Sequence, residues 1–267
     1  MYTEKKFARW IDLQEELFNF ERGLVHNRFR TSLAYRGVGD AEYDLKTSLM
    51  RLENDTAEKH LLRNFKKYAG KELNYNDNVW ELLAVAQHYG LPTRLLDWSF
   101  SPYVALHFAT SDTSKYKKDG AIWCMDITKV NELLPAELKG ILNKEGSHVF
   151  TVELLKDYSL EQFDNLKSTE DNKDFIVCLE PPSIDERIVN QYAMFTIISD
   201  NNKKLDELMK EQPNDIYTKI IIPKELKMEI RDKLDQANIS ERIIYPGLEG
   251  ISAWLKRYYT KFTDNNS

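Results

Sequence analysis

Apolar residues recur at spacings of three and four through Trp10, Leu13, Leu17, Phe20 and Leu24, and this period predicts an N-terminal helix over about residues 8–25 with one apolar stripe. SLAYRGV at 32–38 then reads as a strand. Helical spacing returns over 57–69, through Leu61, Leu62 and Phe65, and over 78–89, through Val79, Leu82, Leu83 and Ala86. Gly90 and Pro92 end the second of these as C-cap and stop, while Ser101-Pro102 supplies an N-cap and first turn for YVALHFA. Four runs rich in β-branched and aromatic residues predict strands: AIWCMDI (121–127), FIVCLE (175–180), YAMFTIIS (192–199) and YTKIII (217–222). Pro223 opens a helix carrying Leu226, Ile230 and Leu234, RIIYP predicts a short strand, and Leu248, Ile251, Leu255 and Tyr258 predict a last helix. The expected fold is α+β, a central sheet of about five to six strands flanked by helices. Without a repeat or a long linker, residues 1–258 are expected to form one domain with the first helix packed on it, and 259–267 a flexible tail.

Composition narrows the partners. The 267 residues are 42% hydrophobic and 30% charged, the ordinary globular balance, and a formal charge of −6 argues against duplex nucleic acid as the partner. The only cysteines, Cys124 and Cys178, sit in apolar runs and predict buried thiols. With five scattered histidines and no CxxC, no metal site is expected. No apolar run approaches the ~20 residues that span a bilayer, and MYTEKKFARWIDL lacks a signal-peptide core, so the expectation is a cytoplasmic protein without a membrane partner. GxGxxG, GxxxxGK[ST], GxSxG and HExxH are all absent.

Chemistry-bearing residues concentrate in three segments. In AYRGVGD, Arg36 follows an apolar strand pattern, and its forked guanidinium suits phosphate or carboxylate unless Asp40 or Asp44 takes it. QHYGLPTRLLDW (87–98) packs His88, Tyr89, Thr93, Arg94, Asp97 and Trp98 around a turn that glycine, proline and asparagine alone could make. Trp98 and Tyr89 could stack on a planar ring with His88 as a titrating neighbour; alternatively Trp98 anchors the core and Arg94 pairs with Asp97. IDERIVNQYAMF (184–195) sets Asp185, Glu186, Arg187 and Gln191 before a strand, either as acid–base and hydrogen-bonding groups or as a solvated entrance.

Together these segments resemble the FRG domain, a bacterial and phage family named for a Phe/Tyr-Arg-Gly motif. Tyr35-Arg36-Gly37 is similar to the naming motif, QHYGLPTRLLDWSFSPYVALHFA (87–109) to the long central signature, RIVNQYAMF (187–195) to an Arg-x-x-x-Gln-x-x-x-Phe element with Ala193 where glycine is more usual, and YPGLEGI (245–251) to the closing Pro-x-Leu-x-Gly. The likeness spans roughly residues 10–258. It implies a domain whose biochemistry is not settled, with some members connected with defence.

A more distant resemblance is to ADP-ribosyltransferases of the Arg-Ser-Glu type, through Arg36, then Ser99-Phe100-Ser101 leading into a helix, then Asp185-Glu186 before a strand. That resemblance implies a transferase-like sheet and a nucleotide-like pocket in which NAD undergoes ADP-ribosyl transfer or cleavage, in a defence or toxin setting with a protein target. Its catalytic residues would be Arg36, Glu186 and Gln191, and its ligand-binding residues Tyr35, Gly37, His88, Tyr89, Thr93, Arg94, Asp97, Trp98 and Ser99. Two departures stand out: Ser-Phe-Ser replaces Ser-Thr-Ser, and either Glu186 or Gln191 occupies the place of the acid. The alternative is a non-catalytic sensing or interaction module of a phage-defence system, in which the same residues form a buried polar network. A nuclease lacks its acidic metal cluster.

Overall fold

The computed structural model describes residues 2–19, 22–23, 28–54, 56–70, 78–166, 173–213 and 215–261. Its strands are β1 (Thr3–Lys6), β2 (Arg22–Gly23), β3 (Arg28–Phe29), β4 (Leu33–Val38), β5 (Leu96–Ser99), β6 (Gly120–Asp126), β7 (Phe150–Thr151), β8 (Ile176–Glu180), β9 (Ala193–Ile198) and β10 (Tyr217–Ile222). The first helices are α1 (Trp10–Phe18), α2 (Ala57–Ala69), α3 (Val79–His88), α4 (Pro102–Thr110), α5 (Ile127–Asn131) and α6 (Ala136–Glu145). After them come α7 (Leu160–Asp164), α8 (Glu186–Gln191), α9 (Leu205–Glu211), α10 (Lys227–Gln236), α11 (Glu241–Ile244) and α12 (Leu248–Tyr259). None of these helices is long and apolar enough to cross a membrane.

Eight strands form one α+β sheet in the order β1-β10-β6-β4-β5-β9-β8-β7, antiparallel except at its two outer pairs, and β2 and β3 pair separately. Because successive side chains on a strand point to opposite faces, each strand feeds two cores. Trp123 and Met125 of β6, Cys178 of β8 and Met194 of β9 enter one continuous cluster on the first face, which α9 covers with Leu205, Leu208 and Met209. On the second face the apolar residues divide into two clusters. One joins Tyr35, Ile122 and Ile220 to α1, α4 and α10; the other joins Val177, Phe195 and Ile197 to α2, α3, α6 and α7. The boundary between these two cores runs along β4 and β5.

The sheet holds more strands than the five to six its sequence predicts. β1 reads TEKK, exposed throughout and held as an edge by pairing with β10, and β7 has only two residues, so neither carries an apolar period. RIIYP forms α11 rather than a strand: Ile243 and Ile244 both donate to the Ser240 carbonyl, closing one helical turn. α1 is shorter than expected, burying Leu13 and Leu17, while Phe20 and Leu24 lie outside the described residues. The stripe that predicts α12 faces solvent, with Leu248 83% exposed. That helix docks instead through Gly250, where a Cβ would meet the Tyr245 carbonyl oxygen at 1.9 Å, and through Arg257.

Arg257 belongs to a buried polar network that replaces an apolar contact. It grips Glu241 at 2.6 Å and 2.8 Å and Asp235 at 2.7 Å and 2.8 Å. Alongside, Arg231 Nη1 donates to His107 Nδ1 at 2.9 Å, so His107 is the neutral tautomer protonated at Nε2. Burial, reinforced by the Arg231 cation, pushes the His107 pKa from an ordinary 6.5 down to about 3.

Two expectations follow from this packing. Gly37 on β4 allows α4 to lie against the strand, since a Cβ there would sit 1.8 Å from the Ala105 carbonyl oxygen and 2.9 Å from the Ala109 nitrogen. Gly37→Ala should therefore cost about 1–3 kcal/mol or more in urea unfolding, as backbone must shift. For His107, the unfolded chain takes up a proton below pH 6.5 and the folded chain only near pH 3, so stability present above pH 6.5 is lost as pH falls toward 3. Between about pH 8 and pH 5 the wild type should lose about 2 kcal/mol more than His107→Gln, measured by urea unfolding.

Candidate functional site

β4 pairs with β6 along its whole length but touches β5 at a single register position, Tyr35 opposite Ser99. Continuing that antiparallel register would set Arg36 opposite Trp98 and Gly37 opposite Asp97, yet neither pair forms. Here the Arg36 side chain occupies the gap, its Nη1 donating to the Asp97 carbonyl oxygen at 2.5 Å. A guanidinium thus stands in for the missing ladder, and a cavity of about 270 Å³ opens beside it.

Strands and helices from both half-sheets line this hollow. Tyr35, Arg36 and Gly37 come from β4, Asp97, Trp98 and Ser99 from β5, and Ala193 from β9. Gln87 arrives from the end of α3, Phe108 from α4, Arg187 and Gln191 from α8, and Tyr245 from the end of α11. The one-and-a-half turns of α8 set Arg187 and Gln191 four residues apart on one face, and Asp185 caps them by accepting from the nitrogens of Arg187 and Ile188. Asn190 Nδ2 and Gln191 Nε2 donate to the carbonyls of Ile243 and Ile244 at 2.8 Å and 3.3 Å, which binds α8 to α11.

The charges in the cavity are close but not neutralised. Arg36 Nη1 lies 4.0 Å from Asp97 Oδ2, and its Nε is buried without a hydrogen-bond partner among the described residues. Burial lowers the Arg36 pKa, with Asp97 opposing the shift, and the guanidinium still remains a cation near neutral pH. Arg187 lies over the Tyr245 ring, 5.0 Å from its centroid, and burial raises that phenol's pKa while the nearby Arg187 cation opposes the rise. Asp97 is the carboxylate of the lining, approached by Gln87 Nε2 at 3.0 Å and 3.2 Å.

Seven of the residues singled out from sequence therefore meet at one place: Tyr35, Arg36, Gly37, Asp97, Trp98, Ser99 and Gln191. Trp98 is mostly a core anchor, donating its indole N–H to Thr196 Oγ1 at 3.0 Å, and Tyr35 is likewise buried. Ser99 donates to the Gln191 carbonyl at 2.7 Å, so its hydroxyl proton ties β5 to α8.

Five others lie outside the lining. Arg94 is a structural ion, buried and hydrogen-bonded to Glu58 and Asp164, with Nε 2.8 Å and 2.9 Å from the Glu58 oxygens. Burial alone would lower its pKa, but those two carboxylates outweigh it and raise it. It does not pair with Asp97. Thr93 is buried behind the cavity, while Asp40 and Asp44 hold Lys118 and Lys204 rather than Arg36. His88 Nε2 lies 2.7 Å from Asp185 Oδ2 outside the hollow, and Tyr89 is 67% exposed with its ring against His88. Glu186 is exposed in the first turn of α8.

Arg187, named with Gln191 in the third segment but not placed at the pocket, also lines it, while Gln87, Phe108, Ala193 and Tyr245 carry no sequence expectation of lining it. Gln87 opens the QHYGLPTRLLDW segment, and Arg187 shares the 3.6-residue period with Gln191, a signal legible only once 186–191 is read as a helix.

Residues 31–118, from two residues before β4 to a little beyond α4, match the family model of the FRG domain. Over that stretch, about a third of the chain, it is similar to the FRG domain. The match takes in β4, α2, α3, β5 and α4, and hence Arg36, Gln87 and Asp97; α8, β9 and α11 complete the cavity from outside it. No curated protein and no solved structure matches the chain.

The assignment of Arg94 to the framework is checked by unfolding. Arg94→Ala leaves Glu58 buried without its cation and should cost about 3–5 kcal/mol in urea or thermal denaturation. Asp97→Asn, at an exposed carboxylate, should change stability by less than about 1 kcal/mol.

Proposed function

We propose that this domain binds a nucleotide-like ligand in the hollow between β4 and β5, and that the ligand is NAD. One observation carries the reading: two guanidiniums, a carboxylate, two carboxamides and two accessible aromatic side chains converge on a single cavity. Arg36 and Arg187 suit phosphate oxygens, Phe108 and Tyr245 suit a planar ring, and Gln87, Gln191 and Asp97 suit hydroxyl and amide groups. About 270 Å³ lies near the lower end of ligand-site volumes, roughly 300 Å³, so the hollow takes one half of a dinucleotide and leaves the other at its mouth.

The resemblance to Arg-Ser-Glu transferases supports the choice of NAD. Arg36 lies on β4, Ser99 on β5 and Gln191 at the end of α8, just before β9, and β4, β5 and β9 are neighbours in the sheet. In the enzymatic form of this proposal the bond between ribose C1′ and nicotinamide nitrogen breaks, its electron pair leaving with nicotinamide. Water or an acceptor group then adds at C1′ and releases a proton. A carboxylate near C1′ would stabilise the developing positive charge, and Asp97 is the one in the lining. A second reading, ligand sensing without chemistry, is favoured by the carboxamide of Gln191 in the place where the transferases carry an acid, with Glu186 turned to solvent.

Incubating the protein with NAD separates these outcomes. The expected result is a rise in melting temperature that Arg36→Ala and Arg187→Ala each weaken, with affinity about ten- to a hundred-fold lower by calorimetry. Released nicotinamide, lost in Asp97→Asn, marks the enzyme; binding with NAD intact marks the sensor. No thermal shift and no nicotinamide would remove NAD from the site.

A further inference from the structure

Behind the cavity a chain of hydrogen bonds controls one side chain. Ser48 Oγ receives the Thr93 backbone N–H at 3.0 Å, and Thr93 Oγ1 donates to Gln87 Oε1 at 2.6 Å. Because the amide oxygen is occupied by a donor, the amide nitrogen turns the other way, and Gln87 Nε2 meets both oxygens of Asp97 at 3.2 Å and 3.0 Å. A flipped amide would press its oxygen against a carboxylate and leave the Thr93 hydroxyl facing an N–H. Meanwhile the Asp97 backbone carbonyl is held by Arg36.

The carboxylate is therefore aimed but not saturated. An ionised carboxylate accepts at about four lone-pair positions, Gln87 uses one on each oxygen, and Arg36 at 4.0 Å is beyond hydrogen-bond reach. About two acceptor positions remain. Acceptors repel phosphate and call for donors, and two adjacent donors on one small ring describe the vicinal diol of a ribose.

We infer that Asp97 is the specificity-determining residue of this cavity, accepting hydrogen bonds from a ribose diol, and that Gln87 and Thr93 are positioning residues that hold it in place. This rests on the nucleotide reading above and adds a requirement: the ligand is a ribonucleotide, with its phosphate at the arginines and its sugar at Asp97. Thr93 acts through Gln87 and does not touch the ligand.

The test compares NAD with an analogue lacking the 2′-hydroxyl of the nicotinamide ribose, by calorimetry on the full chain. Wild type should bind NAD at least about ten-fold more tightly than the analogue. Asp97→Asn should lower that ratio to near one, as should Thr93→Val, whereas Thr93→Ser, which keeps the hydroxyl, should preserve it. Asp97 is exposed and its variant is expected to fold, so the result does not depend on the buried Thr93 variants. Equal affinity of wild type for both ligands, or discrimination that survives in Asp97→Asn, overturns this assignment while leaving the nucleotide site standing. Failure of wild type to bind NAD at all overturns the site itself, and this assignment with it.

Discussion

The parting of β4 from β5 is the constraint on which the rest of this molecule depends. A continuous antiparallel ladder would have sealed the sheet at its centre. One pair of residues, Tyr35 and Ser99, keeps the strands in register, and beyond it the Arg36 side chain fills the space where main-chain hydrogen bonds would lie. A strand carbonyl keeps its donor, as buried polar groups must, but the donor now belongs to a charged side chain with further N–H groups to offer. The break in the sheet is what brings a cation to the bottom of the hollow.

The framework around that break explains why so many polar residues crowd into 87–98. Most of them lie outside the lining of the hollow. Arg94 clamps α2 and α7 to the turn through Glu58 and Asp164, and Thr93 is fastened to Ser48. Only Gln87 and Asp97 among them line it. The segment is a two-sided bracket, and the richness of its sequence reflects two tasks carried by one turn.

This division also marks how far the sequence could be read. Helical periods and runs of β-branched and aromatic residues are legible wherever an element feeds the cores, so β4, β6, β8, β9, β10, α2, α3 and α4 are found close to their expected bounds. β1 and β7 escaped notice because one is a charged edge and the other too short to show a period. RIIYP misled because β-branched residues favour strands on average, whereas here a single turn is fixed by tertiary contacts with α8 and α12. At the site, residue types were legible and directions were not. Arg36 and Arg94 look alike in the string, and only the fold reveals that α2 and α7 supply acids to Arg94 and not to Arg36.

The two cores on the second face of the sheet have a thermodynamic corollary. Each belongs to one half-sheet, and the strands that border the hollow are joined to their neighbours across long stretches of chain, β4 to β6 and β5 to β9. Contacts so distant in sequence carry a large loop-closure cost that assembly of both halves must repay. A molecule lodged at the seam would hold both halves at once and therefore favour the fully assembled chain by mass action. Occupancy and architectural integrity are in this way two readings of a single equilibrium.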